Sequence, residues 1–561
     1  MKYPNPSTEG FFFGEVRMSF RTKLLNYFRS RDRAWVLSLF AAAALLYLPF
    51  LSSPFVFDDL NLFAGNVATL YGHSWFHFDL RWLPYASLGW TTLLFSDVVT
   101  HFFHLGNLLL HAANVILLFY LLRHLLAAGA SEQRAPLHAL GAWFGALVFA
   151  VHPVAVYAVG YVVQRSILMA TLFALLMQLA YLRGLLTGKL RWLALAALAY
   201  FLAVFSKEHS VMMPAVLVAM TILLRDRMKV GMRTLLLTWC AFAAIGLLVI
   251  LRQQGVFGTP YEPMANALFE QQGIVESTPV LYLLSVLTQA GLFFKYLLLW
   301  LLPNPAWMSI DMREPFVSSM TDWVGWLGGA GFVLYGYVGI KLLLRGGVRG
   351  LIGWALLYPW LQFALEFSSI RVQEPFVLYR SYLWMPGLLL LLPLLSLRWP
   401  SRRTWATVVV VLALLVPAAV NREWVMADNY RLWNDAARLL PNERVAGADR
   451  IYFNLGQAKA GLGRHEEAIT DFQRVLAVSP QYVQVHFELG WQYGILKRYD
   501  DALSQFDAAI AQDPSYANAY FGKAMVMKML HNNKQAAELM NKSCELKHEI
   551  ACLIVKGYVQ R

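Results

Sequence analysis

Residues 34–66 read AWVLSLFAAAALLYLPFLSSPFVFDDLNLFAGN. The first eighteen, 34–51, are almost entirely apolar, and about 17–25 such residues are what a helix needs to cross the hydrocarbon of a bilayer. A basic arm carrying Arg17, Arg21, Lys23, Arg29, Arg31 and Arg33 precedes them, and no small-residue cleavage site follows. The stretch is expected to be a signal anchor with a cytoplasmic N-terminus. It runs on to Asp58 and Asp59, two adjacent carboxylates beside a membrane, where charge is costly and tends to mark a site.

The rest of the chain extends that reading. Of 561 residues 58% are hydrophobic, and the mean hydropathy is +0.48. Candidate spans fall at 33–51, 102–122, 139–157, 166–183, 190–205, 209–224, 234–251, 280–302, 322–344, 350–367, 382–397 and 404–420. The net charge of +13 is uneven: 421–561 hold 17 basic and 16 acidic residues, whereas 1–420 hold 30 and 18. The excess thus belongs to the membrane part, as retention of Lys and Arg on the cytoplasmic side requires. No basic patch coincides with a soluble module, so nucleic acid is not expected as a partner; membrane lipids are. Alternating sides from a cytoplasmic N-terminus places the loops with Arg123 and Arg134, with Arg183, Lys189 and Arg191, and with Arg225, Arg227, Lys229 and Arg233 inside. If 280–302 crosses, the later basic loops 341–349 and 398–403 fall outside. If that segment, which carries Lys295 and ends in LLPNPAW, is re-entrant or lies at the interface, both return inside and eleven crossings result.

The tail is periodic. YFNLGQAKAGLGRHEEAITDFQRVLAVSP (452–480) aligns with HFELGWQYGILKRYDDALSQFDAAIAQDP (486–514), so that Tyr452, Leu455, Gly456, Ala468, Phe472 and Pro480 recur 34 residues later. A weaker third copy carries Ala524, Ala536 and Met540. This period, with small residues where helices cross and a closing proline, is that of tetratricopeptide repeats, whose concave face holds a peptide or partner. The segment 422–441 reads as a connecting helix. Cys544 and Cys552 lie in the array, where a disulfide and a free buried pair are both open; Cys240, in an apolar run, is expected to be inert. The fold class is therefore all-α: a polytopic membrane protein of 11–12 transmembrane helices with a C-terminal α-solenoid.

The outward loops collect the unusual polar residues. Asn61, Asn66 and Arg81 follow the acid pair. In FFHLGNLLLHAAN, His104, Asn107, His111 and Asn114 share one helix face. His152 and Arg165 follow the third span, and SKEH supplies Lys207, Glu208 and His209. Arg371, Glu374, Arg380 and Tyr382 lie in RVQEPFVLYRSYLWMP. A carboxylate among them can take a proton from a hydroxyl, and arginine or lysine can hold a phosphate. Adjacent carboxylates repel, which raises the pKa of one. Each group also has a plainer reading. Arg165, Lys207 and Arg380 are placed for snorkelling at span ends, and the His and Asn face suits helix packing better than metal ligation. Asp79 and Asp97 read as solvated loop charges. His104 and His111, seven apart, match no zinc spacing. No metal site is expected and no cofactor is called for, although the acid pair leaves a divalent metal open.

Taken in order, these motifs resemble the transmembrane and tetratricopeptide repeat-containing O-mannosyltransferases and related bacterial glycosyltransferases of the GT-C superfamily. FVFDDLNLFAGN is similar to the acidic first-loop motif of that family, RWLPYASLGW and FFHLGNLLLHAAN to its Arg and His–Asn segments, and VFAVHPVAVYAVGYVVQR to its His-Pro…Arg segment. FSKEHSV and YRSYLWMP resemble its Ser-Lys-Glu and Arg-x-Tyr-Leu elements. Departures at Tyr157, Gln164 and Tyr379 bear on sugar and acceptor. The resemblance implies a GT-C-like catalytic domain over 33–421 after a cytoplasmic arm at 1–32, then a connector at 422–448 and repeats at 449–561. It implies an inverting transfer of a monosaccharide from a polyprenyl-phosphate donor to an acceptor hydroxyl on the periplasmic or luminal face, with the repeats recruiting an acceptor protein such as a pilin. Asp58 would be the general base and Asp59 would orient the acceptor. Arg165, Lys207, Arg371 and Arg380 would hold the donor phosphate. Arg81, His104, Asn107, His111, His152, Glu208 and Tyr382 would line the pocket. Rival readings are transfer to a lipid or envelope glycan, a non-enzymatic membrane-anchored scaffold, and a transporter, which would want an internal symmetry that the chain does not display.

Overall fold

A computed structural model of the chain describes residues 32–64, 67–73, 79–95, 99–129, 135–253, 258–261, 265–271, 273–443 and 445–557. The basic arm up to Arg31, Asn66, Asp97 and Arg134 lie outside the described residues. The protein is all-helical, with one isolated bridge, Pro260 to Ile370, and no strand among the described residues.

Seven helices are long and apolar enough to cross a membrane: Asp32–Phe50, Thr100–Gly129, Val162–Thr187, Met232–Arg252, Thr278–Leu301, Trp323–Leu344 and Ser401–Met426. Two further expected spans, 139–157 and 382–397, are bent. Leu137–Ala150 turns by 60° into Pro153–Val159, and Leu378–Trp384 by 59° into Leu388–Ser396. A proline sits at or beside each break (Pro153, Pro386), where it removes a backbone donor and clashes with the preceding turn. Leu190–Ser206 and Glu208–Leu223 are shorter apolar helices. Outward faces carry exposed Leu236, Leu237, Leu247, Val333, Leu334, Val409, Val410 and Leu414. Such a continuous apolar exterior is stable only in lipid, and the protein is an integral membrane protein.

The basic loops meet at one end of the bundle. Arg123 pairs with Asp32 at 2.6 Å, Arg225 donates to the Leu344 carbonyl at 3.2 Å, and the Lys229 amide donates to the Leu185 carbonyl at 2.8 Å. Residues 258–261 and the loop 366–381 meet at the other end, where Tyr261 N–H bonds the Ile370 carbonyl at 2.8 Å.

Thr278–Leu301 is one unbroken helix, and the segment after it doubles back along it. Its side chains bond the 369–381 segment along its whole length: Ser285 to Ser369 O at 3.4 Å, Gln289 to Pro375 O at 2.8 Å, Tyr296 to Val377 O at 3.0 Å and Trp300 to Ser381 Oγ at 2.9 Å. Residues 302–322 then fold back, with Val317 N–H on Thr288 Oγ1 at 2.9 Å. The next helix starts with Gly325 against Leu287. Lys295 is met by Glu314. Helix and return segment form a hairpin.

The C-terminal array comprises three helix pairs, Ala448–Gly461 with His465–Val478, Val483–Ile495 with Tyr499–Gln512, and Ala517–Met529 with Asn533–Glu545, capped by Glu549–Val555. Gly456 and Gly490 let their helices close on Phe472 and Phe506, since an added Cβ would lie 2.7 and 2.8 Å from those rings. The turns repeat as well. Gly463, Lys497 and His531, each 34 residues apart, are left-handed, and the next residue's N–H reaches back five positions in each case, a Schellman-type cap. Cys544 and Cys552 are paired.

Candidate functional site

The loop 52–57 delivers the acid pair to the short helix Asp58–Ala64. Successive helical residues project about 100° apart, so the two carboxylates diverge. Asp59 turns inward, fully buried, and accepts the backbone N–H groups of Val56 (3.2 Å), Val162 (3.3 Å) and Val163 (2.7 Å). It pins the loop to the turn before Val162–Thr187. Burial pushes its carboxyl up to about 7 against those three donors. Asp58 turns to a cavity, and its own N–H donates to Tyr161 Oη at 3.0 Å. Burial raises its carboxyl above the usual range, opposed by the Tyr161 hydroxyl and by the charges of Arg450 and Lys207.

The cavity holds about 450 Å³. From the sequence-derived set it brings together Asp58, Arg81, Lys207, Glu208, Arg371 and Arg380, to which Gln164, His209, Tyr261, Glu374 and Tyr379 are added. Arg81 grips Glu208 with both prongs of its guanidinium, Nε to Oε2 at 2.9 Å and Nη2 to Oε1. Arg371 and Arg380 converge on a single carboxylate oxygen of Glu366, each at 2.9 Å. His209 stands between Glu208 and Glu366, 3.4 Å from each. Lys207, between the helices Leu190–Ser206 and Glu208–Leu223, is 5% exposed and has no carboxylate within 4.0 Å among the described residues; its Nζ is 6.0 Å from the Tyr379 ring centre. Burial and the neighbouring Arg81 lower its pKa to about 7.

Seven of the sequence-derived residues do not line this cavity. Arg165, read as a phosphate ligand, spends its donors on neutral acceptors: Asn107 Oδ1 at 3.0 Å, Ser87 O and Thr91 Oγ1 both at 3.2 Å, and Phe103 O at 2.8 Å. His104 bonds Ser53 O at 3.1 Å, and Asn107 donates to the Val159 carbonyl at 3.2 Å. His111 bridges Tyr382 Oη (2.7 Å) and Ala150 O (3.1 Å). His152 caps Pro153–Val159 through Val154 N–H at 3.3 Å and meets Trp300 O at 3.1 Å. With Asp59 and Tyr382, these groups join helices beneath the site, the plainer of the two readings given above for the His and Asn face. No group of three His, Cys, Asp or Glu side chains suited to a metal occurs among the described residues.

Sequence reasoning missed Glu366 and Tyr161. Glu366 sits in FALEFSSI, where it looks like the polar end of a span. The usable signal is that a carboxylate so close to lipid must find cations, and Arg371 and Arg380 follow it closely. Tyr161 is one aromatic among many, and nothing in its spacing marks it.

A comparison of the sequence with curated proteins finds no match. Among solved structures the chain is similar to a double mutant of MamA RS-1 (24% identity, 21% of this chain and 64% of that one, TM-score 0.19). It is similar to YrrB, described as a tetratricopeptide protein with an unusual peptide-binding site (20% identity, 30% and 82%, TM-score 0.21). A longer overlap is with the Archaeoglobus fulgidus oligosaccharyltransferase tethered to an acceptor peptide (14% identity, 77% and 58%, TM-score 0.38). The chain thus spans less than two thirds of the MamA and oligosaccharyltransferase chains, and none of these TM-scores exceeds 0.38. A family profile described as tetratricopeptide repeat matches residues 453–517 and 496–546. The C-terminal array consists of tetratricopeptide repeats, carried by a helical membrane protein.

Proposed function

We propose that this protein is an inverting glycosyltransferase that moves a monosaccharide from a polyprenyl-phosphate donor to an acceptor hydroxyl, with a catalytic domain over 33–421, a connector over 422–448 and acceptor-recruiting repeats over 449–561. The observation that carries the reading is the meeting of Asp58 with three cations, Lys207, Arg371 and Arg380, in one cavity. Asp58 takes the proton of the acceptor hydroxyl. The hydroxyl oxygen attacks the anomeric carbon from the side opposite the phosphate, the carbon–oxygen bond to phosphate breaks, and a phosphomonoester leaves with its electron pair. Lys207 meets that charge directly, and Arg371 and Arg380, both paired with Glu366, border the same cavity and can turn to it. One in-line displacement needs no protein nucleophile.

A lipid carrier is supported by a second groove of about 590 Å³, which shares Leu365 and Ser368 with the cavity and is walled by Trp239, Phe242, Leu247 and Ile250. An outer, periplasmic or luminal position of the cavity, in a membrane such as the bacterial inner membrane, is supported by the basic loops gathering at the opposite end of the bundle. The Cys544–Cys552 bond agrees with an oxidising compartment there. Acceptor hydroxyls of serine or threonine in an envelope protein suit an array built to hold peptides.

The test is Asp58→Asn. Transfer from a polyprenyl-phosphate sugar is expected to fall by about 100- to 10,000-fold with membrane expression and melting temperature intact. Full activity in that variant would remove Asp58 from the role.

A further inference from the structure

One side chain joins the repeat array to the cavity. Arg450, in the helix Ala448–Gly461, donates to Asp311 Oδ2 from Nε at 3.0 Å, with Nη2 2.9 Å from the same oxygen, and to the cavity-lining Glu374 from Nη1. Its guanidinium carbon also lies 4.6 Å over the Phe57 ring. Trp433 and Tyr161 hold that ring at 5.6 and 6.1 Å.

Phe57 immediately precedes Asp58 and has φ 54°. That region is unfavourable for any residue with a Cβ and persists only where the surroundings impose it. The left-handed non-glycine residues of the repeats, Lys497, His531 and Lys547, each follow a helix whose cap accounts for them. Phe57 follows no helix, and what surrounds it is the aromatic box closed by Arg450. The seat of Arg450 is itself constrained. Arg313 bonds Asp311 at 2.7 Å and the Gln373 carbonyl, and Gly447, at φ 82°, packs where a Cβ would lie 2.3 Å from Arg313 Nη1.

We propose that Arg450 is a positioning residue for Asp58: it holds Phe57 in its left-handed turn, and the first repeat is thereby a wall of the site rather than a detachable recruiting module. The proposal rests on the reading of Asp58 as the base. The tether is bidirectional, because the guanidinium that fixes the Asp58 loop also fixes the 311–313 and 373–374 segments around the cavity mouth.

The test uses the full chain in detergent, comparing wild type, Arg450→Ala, Arg450→Lys and Phe57→Asn. Hydrogen exchange of residues 54–64 is expected to rise in Arg450→Ala while 100–129 stays unchanged, and Arg450→Lys, which keeps a cation over the ring but not the fork across two carboxylates, is expected to fall between. Transfer should drop about tenfold in Arg450→Ala, carried by kcat, with donor KM moving less than about twofold. Asparagine tolerates the left-handed turn, so Arg450→Ala should cost less in the Phe57→Asn background. Unchanged exchange at 54–64 in Arg450→Ala overturns the proposal whether or not the protein transfers sugar. Should that variant loosen the whole array, Arg450→Lys decides by the same measurement. If exchange rises as expected but wild type shows no transfer, the positioning stands and the assignment of Asp58 as a base fails.

Discussion

Lys207 offers a test in which stability and function move in opposite directions. Its ammonium is buried without a carboxylate partner within 4.0 Å among the described residues, and burial lowers its pKa to about 7. The unfolded chain holds the same proton up to about 10.4. Below pH 7 both states are protonated and the folded protein bears the whole cost of the buried charge, about 5 kcal/mol before relaxation and water entry reduce it. Between pH 7 and about 10 the unfolded state binds more protons, so stability rises with pH across that window, and above it the cost is gone. Lys207→Met, which keeps the length of the side chain and drops the charge, is therefore expected to be more stable than wild type by roughly 1–3 kcal/mol at pH 6, the gap closing towards pH 10. At about 2.1 cal/mol/K of unfolding entropy per residue this is a rise of about 1–3 °C in melting temperature. The same variant should lose the stabilisation that polyprenyl monophosphate gives wild type, about 2.7 kcal/mol at a hundredfold excess over Kd. Thermal melts in detergent at pH 6, 8 and 9.5, with and without the lipid phosphate, read both effects. A variant that melts below wild type at pH 6, or that is still stabilised by the lipid, would refute the account of Lys207 as an unpaired phosphate ligand.

Other predictions concern the acid pair and Arg165. Because the Asp58 carboxyl is raised by burial, the acidic limb of the kcat/KM profile should rise at a pH above that of an ordinary carboxylate, about 3.9, and disappear in Asp58→Asn. Asp59→Asn leaves one acceptor oxygen for three backbone donors; a loss of about 1–3 kcal/mol is expected in melts, with activity falling only as the fold does. Arg165→Lys should destabilise the protein, since one ammonium cannot reach acceptors on both Trp82–Phe95 and Thr100–Gly129, but donor KM should hold; a selective rise in donor KM would restore Arg165 to the phosphate site.

The architecture was legible because its signals are repetitive: apolar runs of membrane length, a 34-residue period, and basic loops that fit one end only if residues 280–302 do not cross. The site was legible where burial of charge near lipid leaves few options, as at Lys207, Arg371 and Arg380. It was not legible where the question was direction. Asp58 and Asp59 are neighbours in sequence, but only one faces the cavity, and helical rotation over a single residue decides which. Arg165 and Arg380 look alike as arginines at the ends of spans, yet one meets carbonyls and the other a carboxylate. Arg450 was out of reach for another reason: its partners lie 76 and 139 residues away, in segments that no local pattern connects to it.

Glu366 carries a consequence for turnover. It pairs with one nitrogen of Arg371 and one of Arg380, so on the function proposed here a donor phosphate would compete with a resident anion for the same two cations. The competition would weaken the hold on such a donor and also on the spent carrier, a phosphomonoester that bears more charge and would otherwise be the tighter ligand. On the function proposed here, a built-in rival of this kind would act as an ejector, taking back the arginines as the used lipid departs.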